Sequence, residues 1–169
     1  MKEMSPLKIK ELARDIETEL ARLEKLATGM ENVRQERESY PELMEELSES
    51  LALKLHNFYT GCERIFQLIA SELNGGTPSG YDWHRRLLER MTLSREEMPP
   101  VLQQETAKSL REYLGFRHVV RNIYGFELDL ERLEILLVRY GEVWQQVKED
   151  LKVFVDWLNR LANGMENTL

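Results

Sequence analysis

Asp129–Leu161, DLERLEILLVRYGEVWQQVKEDLKVFVDWLNRL, is the stretch on which the fold turns. Its apolar residues Leu133, Leu137, Tyr140, Trp144, Val147, Leu151, Phe154, Leu158 and Leu161 recur at steps that alternate four and three without a break. This is the a/d pattern of helices packed nearly side by side. Asp129 stands where a helix N-cap is expected, with a side-chain oxygen to accept an otherwise unpaired backbone N–H. Asn163-Gly164 offers a C-cap, because glycine takes the left-handed conformation that ends a helix. One such stripe cannot be buried alone, so its partners must lie upstream.

Upstream, Ser5-Pro6 reads as a helix start, a serine N-cap with proline at the first helical position, where no N–H is needed. Ile9, Leu12, Ile16, Leu20, Leu23 and Leu26 then follow at helical steps. Gly29 leaves open whether this helix ends or runs on through the polar residues after it. Ser39-Tyr40-Pro41 reads as a second start, followed by Leu43, Leu47, Leu51, Leu55, Phe58, Cys62, Ile65, Ile69 and Leu73. The run 74–80, NGGTPSG, is the clearest loop. A shorter helix is expected from about Tyr81 to Met91. Pro99-Pro100 breaks the chain again, and a fourth helix is expected from there to about Tyr124. The sum is an all-α antiparallel bundle of four to five helices, three of them long.

Bulk properties agree. The chain has 169 residues, which fits a single domain over 1–169. Apolar residues make up 42% and charged residues 31%, an ordinary globular balance. Glycine and proline are too few for the many turns of an all-β fold. One cysteine excludes a disulfide framework and a cysteine-based zinc site. The first residues, MKEMSPLKIKEL, lack the apolar core of a secretory signal, and no long apolar run spans a membrane, so a cytoplasmic location is expected. The net charge of −7 gives no whole-molecule attraction to nucleic acid, so any RNA contact must come from a local basic patch.

A helical bundle raises the question of a carboxylate-bridged metal, which wants Glu-x-x-His on two helices. Leu53, Tyr81 and Gly115 stand three residues before His56, His84 and His118, so the motif is missing and no metal or other cofactor is expected. His56 and Cys62 are six apart and read as core or boundary residues. Gly75-Gly76 lacks the lysine and hydroxyl of a phosphate loop. Trp83-His84-Arg85-Arg86 reads chiefly as a buried tryptophan beside solvated arginines, the other reading being a phosphate or RNA surface.

Residues 111–124, REYLGFRHVVRNIY, differ in kind. At about 100° per residue, Phe116, Val119, Val120 and Ile123 fall on one side, with Tyr113 at the edge. Arg111, Arg117, His118, Arg121, Asn122 and Tyr124 fall on the other. Arginine forks suit phosphates bidentately. A solvated face pairing with neighbouring carboxylates explains the same spacing, and spacing alone leaves the two readings level.

The run from Arg117 to Tyr124, RHVVRNIY, followed by Leu128-Asp129, resembles the R-x4-H-x-Y signature of HEPN-domain proteins, specifically HepT-like toxins. The stretch LHNFYTGCERIFQLIA, the loop GGTPSG and the run YDWHRRLLERM resemble the same group, and together they cover most of the chain after residue 50. The resemblance implies an all-α bundle and a homodimer with two motifs facing each other. It further implies metal-independent endoribonuclease activity on RNA and an MntA-like nucleotidyltransferase antitoxin as partner. Carried over, Arg117 is the motif arginine and binds the scissile phosphate, with Arg111 and Arg121 as further RNA contacts. Tyr124 is the motif tyrosine, the acceptor of AMP from the antitoxin. Asn122 stands at the histidine position. Transfer of a proton from the attacking 2′-hydroxyl needs a group that titrates near neutral pH, which an asparagine amide does not. His118, one residue from Arg117, is the available substitute. The alternative implied is a degenerate binding and partner module that keeps the bundle and has lost cleavage.

Overall fold

The computed structural model describes residues 4–95, 97–121 and 128–167, with the side chains of all of these except 117–121. Five α-helices carry the chain: α1 (Pro6–Ser39), α2 (Met44–Leu73), α3 (Trp83–Arg90), α4 (Gln104–Arg121) and α5 (Leu130–Glu166). The expected all-α bundle is found, with α1, α2 and α5 as its long members.

Local signals set most boundaries. Ser5 caps α1, its hydroxyl accepting from the Lys8 N–H at 3.4 Å, with Pro6 in the first helical turn. Asp129 caps α5, its carboxylate accepting from the Arg132 N–H at 3.0 Å. Gly75, Gly76 and Gly80 take φ of 73°, 114° and 106° in the loop after α2, a region that L side chains avoid.

One boundary was left open by the sequence reading and another departs from it. α1 runs through Gly29 to Ser39, because the turns beyond it are held from outside the helix. Met30 is buried, and Arg37 donates to Ser48 on α2 at 3.3 Å and to Glu134 on α5 at 3.1 Å. These contacts outweigh the ~1 kcal/mol that an interior glycine costs a helix. Likewise α5 does not stop at Asn163-Gly164 but continues to Glu166, whose carboxylate meets Lys10 of α1 at 2.8 Å. Tertiary contact decides both boundaries, and at Asn163-Gly164 it overrides the C-cap signal. After α1, Pro41–Leu43 forms one 3₁₀ turn before α2 begins at Met44.

The long-range pairs fix the directions. Lys10 with Glu166, Glu24 with Trp144 and Arg37 with Glu134 set α1 antiparallel to α5. Arg64 with Glu19 and Arg37 with Ser48 set α1 antiparallel to α2. Leu23 and Gly61 mark their closest approach, since a Cβ on Gly61 would lie 2.6 Å from Leu23 Cδ2. Gln103 with Asp150 and Glu112 with Arg139 set α4 antiparallel to α5. The last turns of α4 therefore lie at the end of the bundle where α1 finishes and α2 and α5 begin. At the centre, the fully buried Phe58 ring meets Tyr113, Tyr140 and Trp144 edge-on, with centroids 5.5, 5.0 and 6.2 Å away. Such edge-to-face pairs add to the burial of the rings themselves.

Candidate functional site at the end of helix α4

The helix that carries the basic stretch is anchored to α5 along its length. The Gln103 N–H donates to Asp150 at 2.9 Å, and Arg139 donates to Glu112 at 2.7 Å. Tyr113 donates its hydroxyl to the Leu136 carbonyl at 2.8 Å. Tyr113, expected at the edge of the apolar side, is instead in the core. Its phenol is held well above its usual pKa, first by burial. It stays a neutral hydrogen-bond donor at any physiological pH.

This anchoring sets the register of the last turns of α4. Leu110, Tyr113 and Leu114 are buried, and Arg117 stands four residues after Tyr113 and seven after Leu110. Arg121 stands seven after Leu114. The backbone positions of both arginines thus continue the helix line that α4 packs against the bundle. His118 continues a different line, three residues after Gly115 and seven after Arg111, and Arg111 is exposed. Of the residues that the sequence singled out, Arg111 is described with its side chain. Arg117, His118 and Arg121 are placed as helix positions of α4. Asn122 and Tyr124 lie outside the described residues, as does the expected end of the helix at Tyr124.

A residue the sequence reading missed joins them. Arg132, in the first turn of α5, lays its guanidinium 5.9 Å from the centroid of the Phe116 ring. A Cβ on Gly115 would lie 2.9 Å from its Nη2. The absent side chain at 115 makes room for the arginine. One local signal was available: a cation in the first turn of a helix opposes the helix dipole, so it calls for another reason to be there.

The stretch Trp83-His84-Arg85-Arg86 resolves into structure. His84 Nδ1 lies 2.5 Å from the carboxylate of Glu63 on α2, and both side chains are largely buried. The Trp83 ring stacks on His84 with centroids 3.6 Å apart. Arg85 pairs with Asp82 at 3.2 Å, and Arg86 holds the Ser79 carbonyl at 3.0 Å. Glu63 and His84 are 21 residues apart, and no spacing rule would have joined them. Elsewhere, a groove of about 220 Å³ between α1 and α2 includes Glu19, Gly61 and Arg64 in its lining, and its carboxylate is already engaged by Arg22 and Arg64. Among the described residues no group of three or more His, Cys, Asp or Glu is placed to hold a metal ion, and no helix is long and apolar enough to cross a membrane.

Fold and site together define an all-α bundle with a basic, histidine-bearing stretch at the end of α4. A family model described as HepT-like protein matches residues 50–158, more than half of the chain, and the chain belongs to that HepT-like family of HEPN proteins. Comparison with curated proteins and with solved structures gives no match.

Proposed function

We propose that this protein is a metal-independent endoribonuclease of the HepT type, the toxin component of a pair with an MntA-like nucleotidyltransferase antitoxin. The observation that carries the reading is the family match over residues 50–158, which spans the whole of α4 and its basic stretch. In the proposed reaction the RNA's own 2′-oxygen attacks the adjacent phosphorus. The 5′-oxygen leaves and takes up a proton, giving a 2′,3′-cyclic phosphate and a 5′-hydroxyl. Arg117 binds the scissile phosphate and stabilises the charge that develops on it. His118, the neighbour of Arg117 in sequence, supplies an imidazole that takes the proton from the 2′-hydroxyl and returns one to the leaving 5′-oxygen. Asn122 supplies a hydrogen-bonding amide, and Arg111 and Arg121 hold flanking phosphates.

A homodimer completes the site in this reading. A two-fold axis doubles a modest patch of arginine positions into a cleft of RNA size. Tyr124 is the proposed acceptor of AMP from the antitoxin. An adenylyl group there brings a phosphodiester charge of about −1 beside Arg117 and Arg121, and its phosphate competes with RNA for their guanidinium groups. One observation favours a second reading. Asn122 occupies the motif's histidine position, so a binding and partner module without cleavage keeps every other feature.

The experiment that tests the proposal is incubation of the protein with single-stranded RNA in a buffer containing a chelator. Cleavage to cyclic-phosphate ends supports the enzyme. RNA binding without cleavage supports the binding module. Intact mass after incubation with the nucleotidyltransferase partner and ATP tests Tyr124: a gain of adenylyl mass that is lost in Tyr124→Phe is expected.

A further inference from the structure

We infer that Lys108, Arg111 and Arg132 form a phosphate-binding track along the outer side of α4 that takes single-stranded RNA. The inference rests on the ribonuclease reading above and extends it to two new residues, Lys108 and Arg132, and a path for the substrate. Lys108, Arg111 and Gly115 lie at steps of three and four on α4, so their positions form one stripe along the helix. Lys108 and Arg111 are exposed. The third position of the stripe, Gly115, has no side chain of its own, and the guanidinium of Arg132 reaches across from α5 to lie against it. His118 is the next helix position along the same line.

Charge leaves these three cations available. The chain has 30 acidic residues against 23 lysines and arginines, and many of its cations are paired with a carboxylate. Lys10, Arg22, Arg34, Arg37, Arg64, Arg85, Arg139 and Lys148 all do. Lys108, Arg111 and Arg132, like several other cations spread over the bundle, have no carboxylate partner among the described residues, and these three are the ones gathered along one side of α4. Glu112, next to Arg111 in sequence, is taken up by Arg139 at 2.7 Å.

The way Arg132 is held argues for a polyanion with phosphates. A guanidinium presents its planar N–H donors in the fork that matches phosphate oxygens bidentately. The Phe116 ring 5.9 Å away and the gap at Gly115 leave the guanidinium room beside α4 to meet a phosphate. Rows of cations beside a helix-borne site track a nucleic-acid backbone without reading its sequence.

The test uses the full-length protein and a fluorescein-labelled 2′-O-methyl oligoribonucleotide, which lacks the 2′-hydroxyl needed for cleavage. Its affinity is followed by anisotropy across a series of KCl concentrations. Arg132→Gln keeps the aliphatic stem over Phe116 and removes the charge, and it is measured with Arg111→Ala and Arg117→Ala. The expected result for Arg132→Gln and for Arg111→Ala is severalfold weaker binding, with a salt slope shallower by about 0.7 per lost phosphate contact and an unchanged melting temperature. If both variants keep the parent's slope while Arg117→Ala loses affinity, the track is refuted and the ribonuclease reading stands. If all three, Arg117→Ala included, bind like the parent, both are refuted. Polyglutamate, a probe for an acidic protein partner, is expected to bind far more weakly than the oligonucleotide. Comparable polyglutamate binding that is lost in Arg132→Gln would assign the stripe to a protein and overturn the inference.

Discussion

Tyr113 on α4 donates its hydroxyl to the main-chain carbonyl of Leu136 on α5 at 2.8 Å, a buried hydrogen bond that ties the helix bearing the basic stretch to its neighbour. The bond fixes both the rotation and the height of α4 just four residues before Arg117. Tyr113→Phe keeps the ring against Phe58 and removes only the hydroxyl. The expected loss is about 1 kcal/mol, a fall in melting temperature of roughly 2–4 °C for a chain of this size, read by thermal unfolding. An unchanged melting temperature would show that the bond contributes nothing to the docking of α4.

Two helical glycines are expected to respond to alanine with opposite signs. Gly61→Ala drives a Cβ to 2.6 Å from Leu23 Cδ2, in the packed seam between α1 and α2. Overpacking of this kind costs about 1–3 kcal/mol, against about 1 kcal/mol gained in helix propensity, so the melting temperature falls. Gly115→Ala meets only the end of the flexible Arg132 side chain, which swings away. There the propensity gain of about 1 kcal/mol dominates and the melting temperature rises by roughly 2–4 °C. A fall in Gly115→Ala would mean that Arg132 is held too firmly to move.

Cys62 is fully buried, and burial drives its thiol far above the usual range. The thiolate is the reactive species, so the native protein should react with a disulfide reagent only as fast as it unfolds. Thiol titration in buffer and in denaturant measures this. Prompt reaction of the native protein would contradict the packing of α2 around Cys62.

The long helices were legible because their apolar residues keep an unbroken helical step, and the Ser5 and Asp129 caps were legible because each needs one side chain and one nearby N–H. Where tertiary contact decides, local signals failed. Gly164 looks like a helix end and is not, and Gly29 leaves the end of α1 open, since Arg37 and Glu166 are held by residues about a hundred positions or more away. The same holds at the site. The basic stretch of α4 stands out from residue types alone, whereas Arg132 enters only when α5 returns beside α4. The buried partnership of Glu63 with His84 was invisible for the same reason. Tyr113, an edge residue on a helical wheel, became core because α5 covers that edge.

In the proposed reading Asn122 stands at the position of the motif histidine. Asn122→His places a group that titrates near neutral pH at the motif position with little change of volume. The expected outcome is faster RNA cleavage than the parent at neutral pH, declining toward low pH as the imidazole becomes protonated and ceases to act as a base. A rate no higher than the parent's, in a folded variant, would show that Asn122 is not the limiting position.

The central claim is that Arg117 binds the scissile phosphate of an RNA cut without metal. The most direct measurement is the cleavage rate of one RNA by the parent and by Arg117→Ala, side by side in chelator. Removing a donor aimed at the developing charge costs roughly 3 kcal/mol, so the variant should be slower by a factor on the order of 10² or more with its fold intact. Equal rates for the two proteins, or no cleavage by the parent, would contradict the account.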